Sequence, residues 1–322
     1  MGVDTAALEK VLQPHKKTKS FSAYIKKYWF YYMLVLPGFL YIFIFRYVPM
    51  YGILISFKDY KVSKGIWKSP WVGLENFTTL FKIDGFYTVL GNTVLINIYN
   101  IVFGFVFIVF LAIMLNEISS IAIKRTIQTI IYLPNFVSWV VFAGLVIIFL
   151  NPEDGPVNKL IMALGGDSIY FLIEPGYFRT ILVVSNILKS AGFATIIYLS
   201  SLAGIDPGLY ESAIMDGANR LQKILYITLP RLYPTIAVLL MLEIANIFGS
   251  NFEQVFNLYN PLVYDKGDVI STYLYRVGFG GELPDRAFEI STALSTIFNI
   301  ISLAAMYIAN RFIKKLDVIG IF

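Results

Sequence analysis

The chain of 322 residues contains no cysteine and a single histidine, His15. Without cysteine it has neither a disulfide framework nor a thiolate metal site. One histidine in a polar terminal segment supports neither a zinc site nor a histidine-dependent triad, so we expect no metal and no catalytic residue. The pattern G-x-x-x-x-G-K-[S/T] is also absent, which means that the chain does not hold ATP in a P-loop.

Charged residues are scarce at 15% of the chain, whereas hydrophobic residues make up 57%. A soluble domain is about half apolar and lacks apolar runs of ~20 residues, the length that crosses a bilayer. Runs of this length lie at 31–56, 90–115, 127–150, 180–203, 233–257 and 291–312. The sequence therefore predicts an all-α, polytopic protein of the lipid bilayer with six transmembrane helices.

The first 30 residues are polar and basic. Six lysines lie there: Lys10, Lys16, Lys17, Lys19, Lys26 and Lys27. We expect residues 1–30 to form a cytoplasmic tail that ends in an interfacial helix, and residues 31–322 to form the transmembrane domain. A disordered basic tail is the alternative. The first apolar run starts too late and is too long for a cleaved signal peptide.

The distribution of charge between the apolar runs predicts the orientation. With the N-terminus inside, the inner segments carry 14 lysines and arginines and 7 acidic residues. The longer outer loops carry 10 basic and 12 acidic residues. Because cytoplasmic loops of membrane proteins are enriched in lysine and arginine, we expect both termini and the loop at 204–232 to be cytoplasmic.

A polar interruption at 206–234 has the signals of two short helices that fold back on each other. Asp206 is a good N-cap, and Pro207 suits the first helical position. Gly217 is where the first helix can stop or bend. Pro230 is expected to limit the second helix, since the residue before a proline avoids helical geometry.

This interruption also carries a long motif. Glu211-Ser212-Ala213 is followed by Gly217, Ile227 and Leu229-Pro230, and this pattern resembles the EAA loop. That loop marks the membrane permease subunits of binding-protein-dependent ABC importers, although Ser212 stands where the family usually has alanine. The resemblance implies a coupling loop that docks on a separate ATPase, with these residues in it: Glu211, Ser212, Ala213, Asp216, Gly217, Ile227, Leu229 and Pro230.

Two shorter segments extend the resemblance to the first outer loop. Ser56-Phe57-Lys58-Asp59-Tyr60 and the segment Val72-Gly73-Leu74-Glu75-Asn76-Phe77 are similar to the outer part of carbohydrate-type permeases, of the kind that transport maltose and alginate. The resemblance implies a transport subunit of the bacterial inner membrane and not an enzyme. Its implied partners are an ATPase dimer that holds ATP and magnesium, a second, non-identical permease, an extracytoplasmic solute-binding protein and a carbohydrate substrate.

Polar residues within the apolar runs suggest a water-filled path. In the fifth run they recur at helical spacing, as one predicted stripe: Glu243, Asn246, Ser250, Glu253 and Asn257. The fourth run contributes Asn186, Lys189 and Ser190. Hydrogen bonding between helices is the alternative role for such residues, and Lys189 and Glu243 could instead neutralise each other.

Other functions fit the sequence less well. An ion-coupled secondary transporter would use Glu243 and Glu253 as carriers, but it leaves the coupling loop unexplained. A membrane enzyme lacks a credible set of catalytic groups. We expect no nucleic-acid partner, because the net charge of +5 follows from the membrane orientation and not from a basic patch.

Overall fold

A computed structural model describes residues 21–248, 251–279 and 286–314. Within these ranges the chain is helical with turns and short loops, and its only strand-like pairing is an isolated bridge between Lys58 and Trp71. The all-α prediction is therefore confirmed for the described residues. Ser250 of the predicted stripe lies outside them, as do residues 1–20 of the predicted tail.

The chain divides into two compact units at Gly52/Ile53. The described part of the first unit is helix α1 (Phe21–Ile42) with a π-helical turn, Phe43–Tyr47, after which a 3₁₀ helix, Val48–Phe57, begins. Helix α1 is kinked at Tyr28, where φ is −114° and ψ is 17°. The predicted interfacial segment thus ends close to a change of helix direction.

The second unit contains the remaining helices of the described residues. They are α2 (Gly65–Lys68), α3 (Glu75–Leu80), α4 (Phe86–Tyr99), α5 (Phe105–Asn116), α6 (Ile121–Phe136), α7 (Trp139–Phe149), α8 (Pro156–Ala163), α9 (Pro175–Ala203), α10 (Pro207–Met215), α11 (Arg220–Lys223), α12 (Leu229–Ala245), α13 (Phe252–Leu258), α14 (Tyr264–Gly267), α15 (Ile270–Phe279) and α16 (Ala287–Lys314). Two π-helical turns, Asn100–Gly104 and Ile224–Thr228, join helices without interrupting them.

Five helical segments among the described residues are long and apolar enough to cross a membrane, and there are six if one bent pair counts as a span. The five are Tyr24–Phe57, Phe86–Asn116, Pro175–Ala203, Arg220–Ala245 and Ala287–Lys314. The bent pair is α6 and α7. The polytopic prediction is confirmed, and two of the predicted spans need correction.

The first correction concerns the third span, predicted as one helix at 127–150. Helices α6 and α7 meet there at an angle of 105°. Pro134 lies in the last turn of α6, Val137 is extended, and the Ser138 side chain accepts a hydrogen bond from the Val141 N–H to cap α7. The chain therefore ends one helix and starts another within three residues.

The second correction concerns the fifth span, predicted at 233–257. The continuous helix runs instead from Arg220 to Ala245. Asn246 closes it with φ −97° and ψ 11°, and Asn251 adopts a left-handed φ of 82° before α13 begins. Asparagine tolerates such backbone conformations, so the long helix ends at Ala245 and a separate helix, α13, begins at Phe252.

Three clusters of buried apolar side chains hold the second unit together. One joins α3 and α4 to α15 and α16, a second joins α4, α7, α9 and α13, and a third joins α5, α9 and α12. Helix α9 contributes to the second and third clusters, with Phe178 and Leu182 near its start and Tyr198 and Leu202 near its end. It is the central element around which the polar residues of the spans are arranged.

The two motifs of the first outer loop pack on each other. The Asn76 side chain is buried and donates to the carbonyl oxygens of Ser56 at 3.0 Å and Lys58 at 2.9 Å. Phe57 stacks on Trp71 with ring centroids 5.5 Å apart. The two sequence motifs therefore form one folded loop, in which each motif supplies the hydrogen-bond partners of the other.

Candidate functional site

The predicted coupling loop at 206–234, which we call the coupling segment, begins with the short helix α10. The Asp206 carboxylate accepts a hydrogen bond from the Gly208 N–H at 2.9 Å, and Pro207 occupies the first turn. The Tyr210 hydroxyl lies 3.0 Å from the Thr228 hydroxyl, which is buried. This contact joins α10 to the start of the fifth span, and the predicted N-cap is confirmed.

Helix α10 ends in a Schellman turn at Gly217. The Ala218 N–H bonds to the Ala213 carbonyl at 2.9 Å, and the Gly217 N–H bonds to the Ile214 carbonyl at 3.0 Å. Gly217 itself has φ 78°, in the left-handed region that glycine adopts without a steric cost. The prediction that Gly217 ends the first helix is therefore confirmed.

The second helix of the segment does not end at Pro230. Asn219 and Gln222 form a capping box that starts α11, and the helix then continues through the Ile224–Thr228 π turn into α12. The π turn precedes Pro230 and changes the local hydrogen bonding, which gives the helix a way to accommodate a residue that lacks an N–H. The prediction that Pro230 limits the helix is wrong, because the coupling segment runs directly into the fifth span.

The surface of the coupling segment is apolar and accessible. Met215 is 88% exposed and Tyr226 is 77% exposed, while Leu221 and Ile214 are also more than half exposed. Beside them lies an open cavity of about 310 Å³. Its lining residues are Ala213, Asp216, Gly217, Ala218, Gln222, Lys223, Tyr226 and Ile227. A rigid projection with exposed large apolar side chains is suited to insertion into a cleft of another protein.

The remaining predicted coupling residues lie on α10 and at the start of α12. Glu211 and Ser212 are exposed on α10, and the Ser212 hydroxyl donates to the Gly208 carbonyl at 2.8 Å within its own helix. Leu229 and Pro230 lie where α12 begins. Pro230 is exposed, whereas Leu229 is half-buried and packs against the third core cluster.

Asparagine side chains connect the second span to other elements. The Asn186 amide donates to the Asn100 side-chain oxygen at 3.2 Å, which joins α9 to the π turn before α5. The Asn251 amide donates to the Asn97 side-chain oxygen at 3.1 Å. Ser190 bonds to the carbonyl of Asn186 in its own helix at 2.6 Å. The two asparagine pairs match the interhelical role that the sequence left open, whereas the Ser190 bond stays within its own helix.

Lys189 is buried in α9, and its Nζ lies at the break between α6 and α7. It donates to the carbonyl oxygens of Pro134 at 3.3 Å, Asn135 at 3.2 Å and Val137 at 2.6 Å. The ammonium group also lies 5.3 Å from the centre of the Trp139 ring. Among the described residues Lys189 makes no ion pair with Glu243, so the suggestion that these two charges neutralise each other is wrong.

The predicted stripe of the fifth span is divided between two helices. Glu243 lies on α12 and Asn246 at its end, whereas Glu253 and Asn257 lie on α13. Because two separate helices carry these residues, the helical spacing in sequence does not place all of them on one face. Glu243, Asn246 and Glu253 are nevertheless exposed, and Asn257 is half-buried.

A buried polar network that the sequence did not predict lies where α4, α9 and α15 approach one another. The Asn92 amide contacts the carbonyl oxygens of Asp265 at 3.2 Å and Asp268 at 3.1 Å. Arg179 donates to the Asn92 side-chain oxygen at 2.6 Å. Asp268, only 2% exposed, pairs with Arg276 at 2.8 Å. The i, i+4, i+8 spacing of Asp268, Thr272 and Arg276 is the signal that could have identified part of it.

Gln254 is a second residue that the sequence did not single out. Its side chain is fully buried and donates to the Leu182 carbonyl at 2.6 Å and to the Ser185 hydroxyl at 2.8 Å. These bonds fix α13 against α9. Its neighbours Val255 and Leu258 are also buried, and the resulting apolar pattern around Gln254 is the available signal.

Comparison with known proteins supplies the family. Residues 104–317 match the family of the binding-protein-dependent transport system inner membrane component. Protein LplB of Bacillus subtilis is 39% identical over 303 residues, which cover 94% of this chain and 94% of LplB. The polygalacturonan/rhamnogalacturonan transport system permease protein YteP of Bacillus subtilis is 37% identical over 316 residues, which cover 98% of this chain and 97% of YteP.

Solved structures agree with this assignment. A chain from the crystal structure of a bacterial alginate ABC transporter, in complex with an alginate pentasaccharide-bound periplasmic protein, matches with a TM-score of 0.86 and 39% identity. The match covers 94% of this chain and 100% of the matched transporter chain. The helices, the coupling segment and these similarities together show that the chain belongs to the family of inner membrane permease components of binding-protein-dependent transport systems.

Proposed function

We propose that this permease forms half of the translocation path for an oligosaccharide or a fragment of a polysaccharide. The similar proteins named above include transporters of polygalacturonan and of alginate, and the similarity extends over nearly the whole chain. An extracytoplasmic solute-binding protein delivers the sugar to the outer loops. A second permease, different in sequence, encloses the other half of the path.

The coupling segment is the observation that carries this proposal. It combines an exposed apolar surface at Met215 and Tyr226 with a helix that runs without a break into the fifth span. A separate ATPase dimer, which binds ATP and magnesium, receives this projection in a cleft. Because α11 and the span are one helix, and α10 contacts that helix through Tyr210 and Thr228, movement of the ATPase subunits reaches the membrane helices directly. The permease itself binds no cofactor and catalyses no reaction.

The distribution of charge supports the orientation. Both termini and the coupling segment face the cytoplasm of a bacterial cell, which is the side where ATP is available. The protein then crosses the inner membrane several times, and its first loop and residues 151–179 and 258–290 face outward.

Exposed carboxylates support a polar path between the two permeases. Glu243 and Glu253 are exposed on the surface of this chain, and charged groups facing lipid are costly. A second permease that covers this surface and leaves water between the chains removes that cost. Asn246 and Asn257, on the same two helices, then supply hydrogen-bonding groups for sugar hydroxyls, and Asn186, Lys189 and Ser190 lie on α9 behind them.

The proposal is tested by ATP hydrolysis of the purified assembly in lipid nanodiscs, with and without sugar-loaded binding protein. We expect the ATPase subunit to co-purify and its hydrolysis to rise with loaded binding protein. Gly217→Trp should abolish that rise or release the ATPase, because the coupling surface is distorted.

Gly165→Trp is the matched control. Gly165 also has a left-handed φ, 88°, and open space around it, but it lies in the loop after α8. This variant should keep both the ATPase and its stimulation. Equal behaviour of the two variants, or an assembly in which no ATPase associates, would contradict the coupling role.

A further inference from the structure

Six aromatic rings outside the coupling segment form a continuous series of contacts, which we name the aromatic track. They are Phe252, Phe256 and Tyr259 of α13 and its end, Tyr275 and Phe279 of α15, and Phe288 of α16. Neighbouring ring centroids are 5.1–6.4 Å apart. At its far end Phe288 contacts Tyr60 of the first outer loop, at 6.2 Å. The track thus connects that loop to the start of α13.

Most of the aromatic track lies outside the hydrophobic core. Phe256, Tyr275, Phe279 and Phe288 are 40–76% exposed. Phe252 and Tyr259 are half-buried, and Tyr259 packs against the second core cluster. The core-facing sides of the same helices carry other residues. Val255 and Leu258 fill the core side of α13, and Tyr273 and Val277 fill that of α15. The four exposed rings therefore lie on faces that the fold of this chain does not need to cover, and Tyr259 anchors one end of the track to the core.

The helices that carry the track are held firmly. Gln254 fastens α13 to α9 through two hydrogen bonds, and the buried Asp268–Arg276 pair fixes the start of α15. Ile290 and Ala293 bury the first turns of α16 in the first core cluster, against Tyr273 and Val277 of α15. The rings are therefore presented on a rigid support, which lowers the entropic cost of binding a ligand.

Polar groups next to the rings argue for a sugar over a lipid chain. Glu253 and Asn257 lie beside Phe252 and Phe256 on α13, and Glu253 is exposed. A carboxylate on a lipid-facing surface is costly. A saccharide, in contrast, binds best where polar groups and aromatic rings lie side by side. Its C–H faces pack on aromatic rings, and its hydroxyls bond to carboxylates and amides.

We propose that the aromatic track is a binding surface for a linear oligosaccharide, on which successive sugar rings stack as the chain passes from the outer loops toward the polar residues of the fifth span. This inference rests on the proposed sugar-importing function. It adds a surface that contacts the sugar at the outer end of the translocation path. A series of similar rings favours movement along the track, because each step exchanges one stacking contact for another of similar strength. It also predicts that longer saccharides engage more of the track than short ones.

The test measures uptake of radiolabelled oligosaccharides into proteoliposomes that contain the full assembly and its binding protein. The probes are oligogalacturonides and malto-oligosaccharides of two to six rings. Phe256→Leu and Tyr275→Leu keep an apolar side chain but remove the flat ring face. We expect each to lower uptake of the transported series by about two- to tenfold, the range that one aromatic contact is worth. The loss should grow with saccharide length, and Phe256→Trp should restore uptake.

Stimulation of ATP hydrolysis by loaded binding protein separates the two proposals. In the wild type, absence of both stimulation and uptake overturns the sugar-importing function. With both present, unchanged uptake in the Phe256→Leu/Tyr275→Leu double variant overturns the track alone.

Phe107→Leu is the matched control, since Phe107 is 41% exposed on α5 and lies away from the track. A loss of uptake in this variant as large as in Phe256→Leu also overturns the track, because the effect is then common to any exposed ring.

Discussion

At the scale of single residues, Lys189 shows how a charge within a membrane span can serve the fold. The break between α6 and α7 interrupts the regular N–H to carbonyl bonding of a continuous helix, and only the Pro134 carbonyl keeps a backbone partner, the Val137 N–H at 3.3 Å, among the three carbonyls that Lys189 reaches. No water is available in hydrocarbon to satisfy the others. The ammonium group of Lys189 donates to the carbonyls of Pro134, Asn135 and Val137, so one side chain from α9 stabilises an otherwise costly bend.

Replacement of this charge has a defined expected result. Lys189→Met keeps the length of the side chain but removes all three donors, and we expect the free energy of unfolding to fall by about 2 kcal/mol. Lys189→Arg should recover part of that loss. Chemical denaturation in lipid nanodiscs measures the change. If Lys189→Met leaves the midpoint unchanged and raises only the KM for sugar uptake, Lys189 acts on substrate and not on the bend.

Gly217 allows a prediction based on backbone conformation alone. A Cβ at this position would meet no neighbour, but the left-handed φ of 78° is unfavourable for any residue with a side chain other than asparagine. We expect Gly217→Ala to destabilise the coupling segment by about 1 kcal/mol, and Gly217→Asn to cost less. Hydrogen exchange of the α10 amides reports the opening of this segment. If the α10 amides of Gly217→Ala were as protected as those of the wild type, the turn would not depend on the glycine.

At the scale of elements, local signals succeeded where the structure is local. The cap at Asp206 and the turn at Gly217 were predictable because the atoms that form them lie within a few residues of each other. The bend after Phe136 was not, because its donors come from Lys189, more than 50 positions away along the chain. The passage of the fifth span through Pro230 was missed for a related reason, since a π turn has no strong sequence signal.

The fifth span also shows the limit of reading helical spacing as a helical face. Glu243 and Glu253 are ten residues apart, which fits one stripe, but Asn246, Gly249 and Asn251 lie between them. These residue types favour turns, which the helical spacing of the carboxylates alone does not reveal. Both carboxylates are exposed, but the predicted common face is wrong because they lie on two helices.

The contact between α6 and α9 gives a prediction at this scale. A Cβ on Gly192 would collide with the backbone carbonyl of Ile131, so the two helices approach as closely as they do because this position has no side chain. We expect Gly192→Ala to lower the free energy of unfolding by about 1–3 kcal/mol through overpacking. Gly91→Ala on α4 is the control, because a Cβ there meets nothing and alanine favours a helix. A Gly192→Ala variant as stable as the Gly91→Ala variant would contradict the close approach.

At the scale of the whole molecule, composition and charge were the most informative features. The number of spans and the all-α class follow from apolar length, which depends on the solvent and not on tertiary detail. Which polar residues face a path depends on how helices pack, and on the contacts of the second permease that we propose, which one sequence does not contain. Our proposals place the exposed surface of Glu243, Glu253 and the aromatic track within such an assembly.

The absence of cysteine makes the orientation directly testable, because any single introduced cysteine is the only reactive thiol in the chain. Trp67 is 78% exposed in the first outer loop, and Met215 is 88% exposed in the coupling segment. We expect a membrane-impermeant maleimide to label Trp67→Cys in intact cells, and to label Met215→Cys only after the membrane is opened. Ser119→Cys, in the other predicted inner loop, is the control for shielding of Met215 by an ATPase. Labelling of Met215→Cys and Ser119→Cys in intact cells, with Trp67→Cys protected, would invert the orientation and place the coupling segment on the side without ATP.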